Sequence, residues 1–302
     1  MYSHTLSQEA ILQGMGKILL DFDGTPAFRP GMWSQCLIDV LDEISPGHEI
    51  GMDDIRPHLR DGFPWHEPAR SRLELSDRDQ WWENLSPLFI GAFEAVDVPL
   101  GVRDAAVTRV RTHYCDPGRY RLFPDRIDAI ETLRRNGWEL VILSNHVPEL
   151  QSIVDGVGLG PLIDEVFSSA ITGYEKPNPE SYRVALGGNP PGECFMVGDN
   201  VEADVLGAER VGLPAILVRN PSAHPQRAAP DLQSAVALIL APFRRSTTPL
   251  GPDLARAQRH AMPCSPSTRQ SCLRGLSLHG LRIGLRLRQS LDRTRGLSCH
   301  PG

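Results

Sequence analysis

Residues 16–25 read GKILLDFDGT, and this stretch decides how the chain folds. The nearly continuous apolar run from Lys17 to Phe22 is what a strand buried on both faces of a parallel sheet requires. The Asp-Gly-Thr sequence that follows favours a turn. Asp21 and Asp23 are two residues apart, so on an extended backbone their side chains point the same way. The stretch therefore predicts a buried first strand whose carboxyl end presents two carboxylates to one site.

Short apolar runs and helical patterns alternate along the rest of this region, up to about residue 220. We predict further strands at Glu139–Ser144, Glu165–Ser168, Glu193–Gly198 and Pro214–Arg219, and helices near residues 124–136, 148–157, 178–186 and 201–211. Alternating strands and helices are typical of a parallel sheet covered by helices on both faces. The fold class is therefore predicted to be α/β with a Rossmann-like core.

The connection between the first two predicted strands is unusually long, at about 100 residues. Within it, apolar residues such as Trp33, Leu37, Val40 and Leu41 recur at helical spacing. A simple crossover would need only a few tens of residues. We therefore predict an inserted α-helical domain at residues 27–121, with the Rossmann-like core formed by residues 1–26 and 122–243.

The last 59 residues, 244–302, differ in composition from the rest of the chain. They hold eleven Arg and no Lys against two Asp, a net charge of +9, whereas the whole chain carries −6. They contain no Phe, Tyr, Trp or Val, so they can bury little apolar surface to offset chain entropy. We predict a basic, low-complexity, disordered tail. Because the body is acidic and the tail lacks aromatic residues for base stacking, we expect no nucleic-acid partner.

Two features of the sequence indicate the cellular compartment of the protein. The first twenty residues show no basic region ahead of a long apolar run, and the longest later apolar stretch, residues 235–241, is far too short to span a bilayer. The six Cys form no CxxC pairs, so neither a disulfide framework nor a zinc site is indicated. We expect a cytoplasmic protein that has no membrane partner.

Three further motifs follow the first, each near the end of a predicted strand. Ser144-Asn145 comes after the second strand, residues 173–179 read GYEKPNP, and residues 198–204 read GDNVEAD. Taken in this order with the DFDGT motif, they resemble the haloacid dehalogenase-like (HAD) hydrolase superfamily. The place of the insert is similar to that of subfamily I, whose helical cap follows the first motif.

The resemblance implies a Mg²⁺-dependent phosphatase that hydrolyses a small phosphate monoester through an aspartyl-phosphate intermediate. It assigns Asp21 as the nucleophile and Asp23 as the acid that protonates the leaving oxygen and then activates water. An anionic nucleophile and an anionic phosphate repel each other by about 4 kcal/mol per unit-charge pair at 4 Å in a partly screened site. The chemistry therefore needs cations in the site.

The same resemblance implies which residues supply and hold those cations. Lys176 would bind phosphate together with Ser144 and the Asn145 amide. The Mg²⁺ ligands would be the carboxylates of Asp21 and Asp199, the backbone carbonyl of Asp23, and Asp204 directly or through water.

Other functions of the same family remain as alternatives. Dehalogenases of the family carry an aromatic residue at the position of Asp23, so Asp23 favours phosphate chemistry. Phosphonate-cleaving relatives use a cap Lys, and residues 27–121 contain none. A sugar phosphomutase stays open because the insert holds His48, His58 and His66, and a non-catalytic binding or regulatory module is the second alternative.

The insert should select the substrate, which we expect to be a small phosphorylated metabolite. Its most unusual stretch, residues 60–70, reads RDGFPWHEPAR. Either Phe63 and Trp65 pack inside the cap, or Trp65, His66 and an Arg face the core. Trp81 and Trp82 are predicted to be packing residues. The identity of the metabolite and the oligomeric state are open at the level of sequence.

Overall fold

The computed structural model describes residues 15–220 and 228–241. The strands are β1 Met15–Leu20, β2 Ala27–Phe28, β3 Arg121–Leu122, β4 Trp138–Ser144, β5 Glu165–Ser168, β6 Phe195–Gly198, β7 Ala215–Val218 and β8 Ala228–Ala229. The α-helices are α1 Met32–Ile44, α2 Met52–Ile55, α3 Arg78–Ala95, α4 Leu100–Tyr114, α5 Arg126–Arg135, α6 Leu150–Gly156, α7 Ser169–Thr172, α8 Pro179–Leu186, α9 Gly207–Arg210 and α10 Leu232–Leu240. Short 3₁₀ turns lie at Arg56–Leu59, Pro64–His66, Leu73–Leu75, Pro117–Arg119, Gly160–Leu162 and Pro191–Glu193. The predicted tail at 244–302 lies outside the described residues, as do residues 1–14, 221–227 and 242–243 of the predicted core.

Six parallel strands form the main sheet in the order β5-β4-β1-β6-β7-β8. The chain runs outward from β1 to β5 on one side and then returns to β6 on the other side. The strand order therefore reverses beside β1, which is where open α/β sheets bind their ligands. No helix in the described ranges has the length and apolar content needed to cross a membrane. The predicted α/β fold is confirmed.

The strands are apolar on both faces because helices cover both. Ile18 and Leu20 of β1 belong to a buried cluster with residues of α5, α6 and α10, whereas Leu19 packs with residues of α8 and α9 on the other face. This explains why the strand sequence shows no alternation of polar and apolar residues.

Residues between β2 and β3 form the insert, which holds α1 to α4. Strands β2 and β3 pair antiparallel, so the two connections to the sheet lie side by side. Inside the insert, Trp33 stacks on Tyr114 with ring centroids 3.7 Å apart. Trp81 and Trp82 are buried, as predicted. This aromatic cluster continues to Phe22, so the insert and one face of the sheet share a core.

The predicted helix at 201–211 differs from the structure. A π-helical turn at Val201–Leu206 comes first, and only Gly207–Arg210 is α-helical. Asn200 caps the turn through its side-chain oxygen, and its backbone N–H donates to Asp204 Oδ2 at 2.9 Å. The wider turn accompanies the placement of Asp204, which is 1% exposed, beneath the carboxyl edge of the sheet. Simple periodicity could not reveal this.

Candidate active site

The first motif continues the line of β1 into a tight turn. The backbone N–H of Asp21 still donates to Val197 O of β6 at 2.9 Å, so this aspartate is held by the sheet. Gly24 then adopts a positive φ of 76°. A Cβ at Gly24 would lie 2.2 Å from Asp199 Oδ2, so only glycine lets these two segments approach. The motif thereby brings Asp21 and Asp199 to one point.

Lys176 lies at the centre of the acidic groups. Its ammonium is 2.9 Å from Asp21 Oδ1 and 2.6 Å from Asp204 Oδ1, and the side chain is 2% exposed. Burial alone would lower the pKa of Lys176, but the carboxylates of Asp204 and Asp21 more than offset this and raise it. The lysine therefore stays charged in a buried position.

Asn145 fixes the backbone that carries this lysine. Its side-chain N–H donates to Lys176 O at 2.8 Å, and its side-chain oxygen accepts from Lys176 N at 2.7 Å. Both polar ends of the Asn145 side chain are thus bonded to the Lys176 backbone. A phosphate contact by this residue would therefore come from its backbone N–H.

Three carboxylates form a compact cluster beside the lysine. One oxygen each from Asp21, Asp199 and Asp204 lie within 4.8 Å of one another. Burial, together with the negative charges of Asp21 and Asp204, raises the pKa of Asp199 to about 7. A Cβ at Gly198 would lie 2.2 Å from Asp204 Oδ2, so glycine is needed where the cluster closes. Such an all-oxygen set with excess negative charge fits a hard divalent cation such as Mg²⁺.

Asp23 faces a different neighbour. Its Oδ2 lies 3.3 Å from Nε2 of His146, a buried side chain that follows the Ser-Asn motif. Asp23 Oδ1 has no hydrogen-bond partner within residues 15–220 and 228–241. The second aspartate of the motif is therefore kept apart from the acidic cluster, and the lysine does not engage it.

A cavity of about 480 Å³ opens at this edge of the sheet. The sequence-predicted site residues all line it: Asp21, Asp23, Ser144, Asn145, Lys176, Asp199 and Asp204. The roles assigned to them stay predictions, but the structure brings them together. Motifs separated by up to about 180 residues meet here because parallel strands end at a common edge.

The insert supplies the other wall, and sequence reasoning missed most of it. The cavity-lining residues of the insert are Phe28, Arg29, Met32, Trp33, Trp65 and Tyr114. Of these, only Trp65 was considered as a substrate contact from the sequence. His66 does not line this cavity; its Nδ1 accepts from Phe63 N at 3.3 Å. For the lining residues at 28–33, the usable signal was their position in the chain, because they directly follow the first motif.

Backbone and side-chain contacts join the insert to the core. Arg72 N donates to Gly173 O at 2.9 Å, and Asn178 Nδ2 donates to Pro68 O at 3.1 Å. These bonds attach the loop after Trp65 to the loop that carries Lys176. The insert is therefore positioned over the same edge as the chemical groups.

A family model for haloacid dehalogenase-like hydrolases matches residues 18–212. That range covers more than half of the chain and includes every motif of the site. The chain belongs to the haloacid dehalogenase-like hydrolase family.

Curated relatives of known name include phosphatases. The chain is 35% identical over 144 residues to a phosphoserine phosphatase from Thermus thermophilus, covering 46% of this chain and 58% of that protein. It is 34% identical over 99 residues to a ribulose-1,5-bisphosphate 5-phosphatase from Halopiger xanaduensis, covering 32% of this chain and 41% of that protein. The chain thus spans about half the length of these relatives.

Solved structures share the fold at low sequence identity. YfnB, a HAD-type protein from Bacillus subtilis bound to magnesium, superposes with a TM-score of 0.58 at 17% identity, covering 75% of this chain and 99% of that one. The L-2-haloacid dehalogenase from Xanthobacter autotrophicus gives 0.55 at 20% identity, with 76% and 100% covered. These likenesses concern the fold.

Proposed function

We propose that this protein is a Mg²⁺-dependent phosphatase that hydrolyses a small phosphate monoester through an aspartyl-phosphate on Asp21. One observation carries the proposal: the Asp21 carboxylate is hydrogen-bonded to a buried lysine at the end of the central strand, inside a cavity. Asp23 is present at the second motif position, which supports phosphate rather than halide as the group removed. Phosphatases among the curated relatives support the same class of reaction.

In the first step, an oxygen of Asp21 attacks phosphorus and the bond from phosphorus to the leaving oxygen breaks. Asp23 gives its proton to that oxygen, so the product leaves as a neutral alcohol. Asp23 is suited to this role because the lysine binds Asp21 and leaves Asp23 to a different neighbour. The two aspartates thus divide the nucleophile and acid roles.

In the second step, Asp23 takes a proton from water, and the water oxygen attacks phosphorus. The bond from phosphorus to Asp21 then breaks, which releases inorganic phosphate and restores the Asp21 carboxylate and the protonated Asp23. Lys176 offsets negative charge on the phosphoryl oxygens in both steps, and Ser144 with the Asn145 backbone N–H would hold those oxygens. The common position of these groups in one cavity supports this assignment.

The acidic cluster suits a magnesium ion. Asp21, Asp199 and the Asp23 carbonyl would hold it, with Asp204 as a ligand or as a partner of a bound water. When bound, Mg²⁺ would offset the charge that the phosphate adds to three carboxylates. Residues 27–121 would act as the cap that covers the site and contacts the group attached to phosphate.

The test is phosphate release from p-nitrophenyl phosphate in Mg²⁺, by wild type and by Asp21→Asn. The variant should lose about 10⁴-fold or more in rate, because an amide cannot act as the nucleophile and cooperating catalytic groups are strongly interdependent. Acid-quenched wild type should carry one phosphoryl group on the peptide that contains Asp21. Excess chelator should stop turnover.

The matched control is Asp53→Asn, which removes an exposed carboxylate from the insert and should keep the wild-type rate. The proposal would be overturned if the Asp21 peptide of wild type carried no phosphoryl group. It would also be overturned if Asp21→Asn released phosphate at a rate close to that of wild type. Turnover that survives full chelation would refute the magnesium requirement alone.

A further inference from the structure

Arg29 is a buried arginine in the wall of the cavity, and the phosphoryl chemistry above does not use it. Arg29 directly follows β2, where the chain enters the insert, and is 3% exposed. The backbone there is held by the pairing of Phe28 with Arg121 of β3. Arg29 is therefore carried by the rigid base of the insert rather than by a loose loop.

The hydrogen-bonding capacity of Arg29 is only partly used. One terminal nitrogen lies 3.1 Å from Nδ1 of His113, whereas Nε has no hydrogen-bond partner in the described ranges 15–220 and 228–241. Burial, followed by the positive charges of Arg119 and Arg29, lowers the pKa of His113, which favours the neutral ring that can accept from Arg29. Buried N–H groups are nearly always bonded, so Arg29, which lines the cavity, keeps a donor that its neighbours in the described residues do not use.

The positive charge of Arg29 is also incompletely matched. Within the described residues, the carboxylate nearest to it is Asp39, whose Oδ2 lies 4.0 Å from the guanidinium. The same Oδ2 accepts from Arg119 at 3.4 Å, and Asp39 Oδ1 accepts from Gln35 at 2.6 Å. Asp39 is therefore shared between two arginines. A buried charge without its own bonded counterion is costly unless a bound anion supplies one.

The cavity has its two permanent cations on different elements. Among the described lining residues, Lys176 belongs to the core and is bonded to carboxylates, and Arg29 belongs to the insert. Around Arg29 the wall is apolar or aromatic, with Phe28, Met32 and Tyr114. A cavity of about 480 Å³ holds a small metabolite in contact with both walls. A phosphate at the core cation would leave Arg29 facing the rest of the substrate.

We propose that Arg29 binds a second anionic group of the substrate, so that the substrate is a small phosphomonoester which also carries a carboxylate or a second phosphate. This inference rests on the proposed phosphatase function and deepens it. A carboxylate and a phosphate offer the same chemistry to a guanidinium, namely paired anionic oxygens. Arg29 thus acts as a specificity-determining residue on the insert.

The experiment compares substrate pairs that differ in one anionic group. The carboxylate pair is 3-phosphoglycerate and glycerol 3-phosphate; the phosphate pair is fructose 1,6-bisphosphate and fructose 1-phosphate. Wild type should prefer the more anionic member of at least one pair in kcat/KM, and the preferred pair identifies the group. Arg29→Gln should reduce that preference by about 10- to 100-fold, the usual range for a lost hydrogen bond to a charged group. Arg29→Lys should restore part of it.

The matched control is Arg56→Gln, which removes an exposed arginine of the insert that bonds Asp53 and does not line the cavity. It should leave the preference at the wild-type ratio. Melting curves of all variants identify any loss of folding, and calorimetric binding of both pair members to Asp21→Asn provides a readout that needs no turnover.

The outcomes separate the inference from the function beneath it. If phosphate release depends on Asp21 while wild type prefers neither of the more anionic substrates, the role of Arg29 is wrong and the phosphatase proposal stands. The same conclusion follows if Arg29→Gln lowers kcat/KM equally for both substrates of the preferred pair. If release does not depend on Asp21, the phosphatase proposal itself fails. Tighter binding of the more anionic member, lost in the double variant Asp21→Asn, Arg29→Gln, would still support the anion site.

Discussion

The carboxyl edge of the sheet and the insert line one cavity in contrasting ways. At the edge, charged groups approach closely: Lys176 bonds two aspartates, and glycines 24 and 198 are needed for the carboxylates to fit. The insert instead contributes a mainly aromatic and apolar wall with one arginine. In the proposed reaction, the edge would make and break the bonds to phosphorus, and the insert would recognise the group to which the phosphate is attached.

This contrast has a physical basis. The reacting atoms are the same for every phosphomonoester, so the groups that act on them must be held to a small tolerance by strands and tight turns. The remainder of the substrate differs from one compound to another. A wall of side chains on a separate, helical element can change without disturbing the strands.

After Asp21→Asn, the largest effect should come from Asp23, which also lies at the edge. Asp23→Asn should slow turnover by about 10²- to 10⁴-fold, the usual contribution of a positioned acid and base. The loss should be greater for glycerol 3-phosphate than for p-nitrophenyl phosphate, because an alkoxide needs a proton to leave and nitrophenolate does not. Steady-state kinetics on both substrates measure the difference.

Asp61→Asn, at an exposed position of the insert, serves as the control and should behave as wild type on both substrates. An equal loss on the two substrates would mean that Asp23 does not protonate the leaving group. Its contribution would then lie in the second step, where it takes a proton from water and the leaving group is already gone.

A second, smaller effect concerns Glu175, which lies where the insert meets the edge. Burial raises the pKa of Glu175 to about 7, although Ser169, Arg72 and Lys176 act in the opposite direction. A raised carboxyl pKa favours folding while the group is protonated. That contribution is complete below about pH 4.5 and is lost as the pH rises through about 7. The total loss in the free energy of unfolding is up to about 3 kcal/mol.

Glu175→Gln removes the ionisable group and with it the loss of stability that its ionisation causes. From pH 4.5 to 8, the stability of the variant relative to wild type should therefore rise by as much as about 3 kcal/mol, as measured by urea unfolding at each pH. Glu180→Gln, with a more exposed carboxyl group, should follow the wild-type profile. Parallel profiles for Glu175→Gln and wild type would show that this carboxyl group does not titrate at the contact.

The smallest effect should come from the aromatic wall. Trp65 lines the cavity and stacks on Phe63 with ring centroids 4.6 Å apart. Trp65→Ala should change the ratio of kcat/KM between two phosphomonoesters by about tenfold, as expected when one apolar contact to the substrate is lost. Trp81→Phe removes indole area from a buried position away from the cavity, so it should lower the melting temperature and leave that ratio unchanged.

If Trp65→Ala lowers kcat/KM for p-nitrophenyl phosphate and metabolites by one common factor, the insert does not discriminate between substrates at this position. Of Trp65 and Arg29, only Arg29 would then be left as an insert residue that selects the substrate.

The sequence by itself determined the parallel sheet and the meeting of Asp21, Ser144, Lys176 and Asp199 at its edge. Continuous apolar strands signal burial on both faces, and residues at the ends of parallel strands must converge. The two glycines of the motifs are part of the same local information, because each makes room for a specific carboxylate.

Only the tertiary structure decided the rest. The bonding of Asn145 to the Lys176 backbone, the wide turn that buries Asp204, and the placement of Arg29 and Tyr114 in the cavity wall depend on contacts between segments far apart in the chain. The periodicity of the insert predicts helices, but it cannot show how those helices are oriented over the sheet. Long-range packing sets that orientation, and with it the side chains that face the substrate.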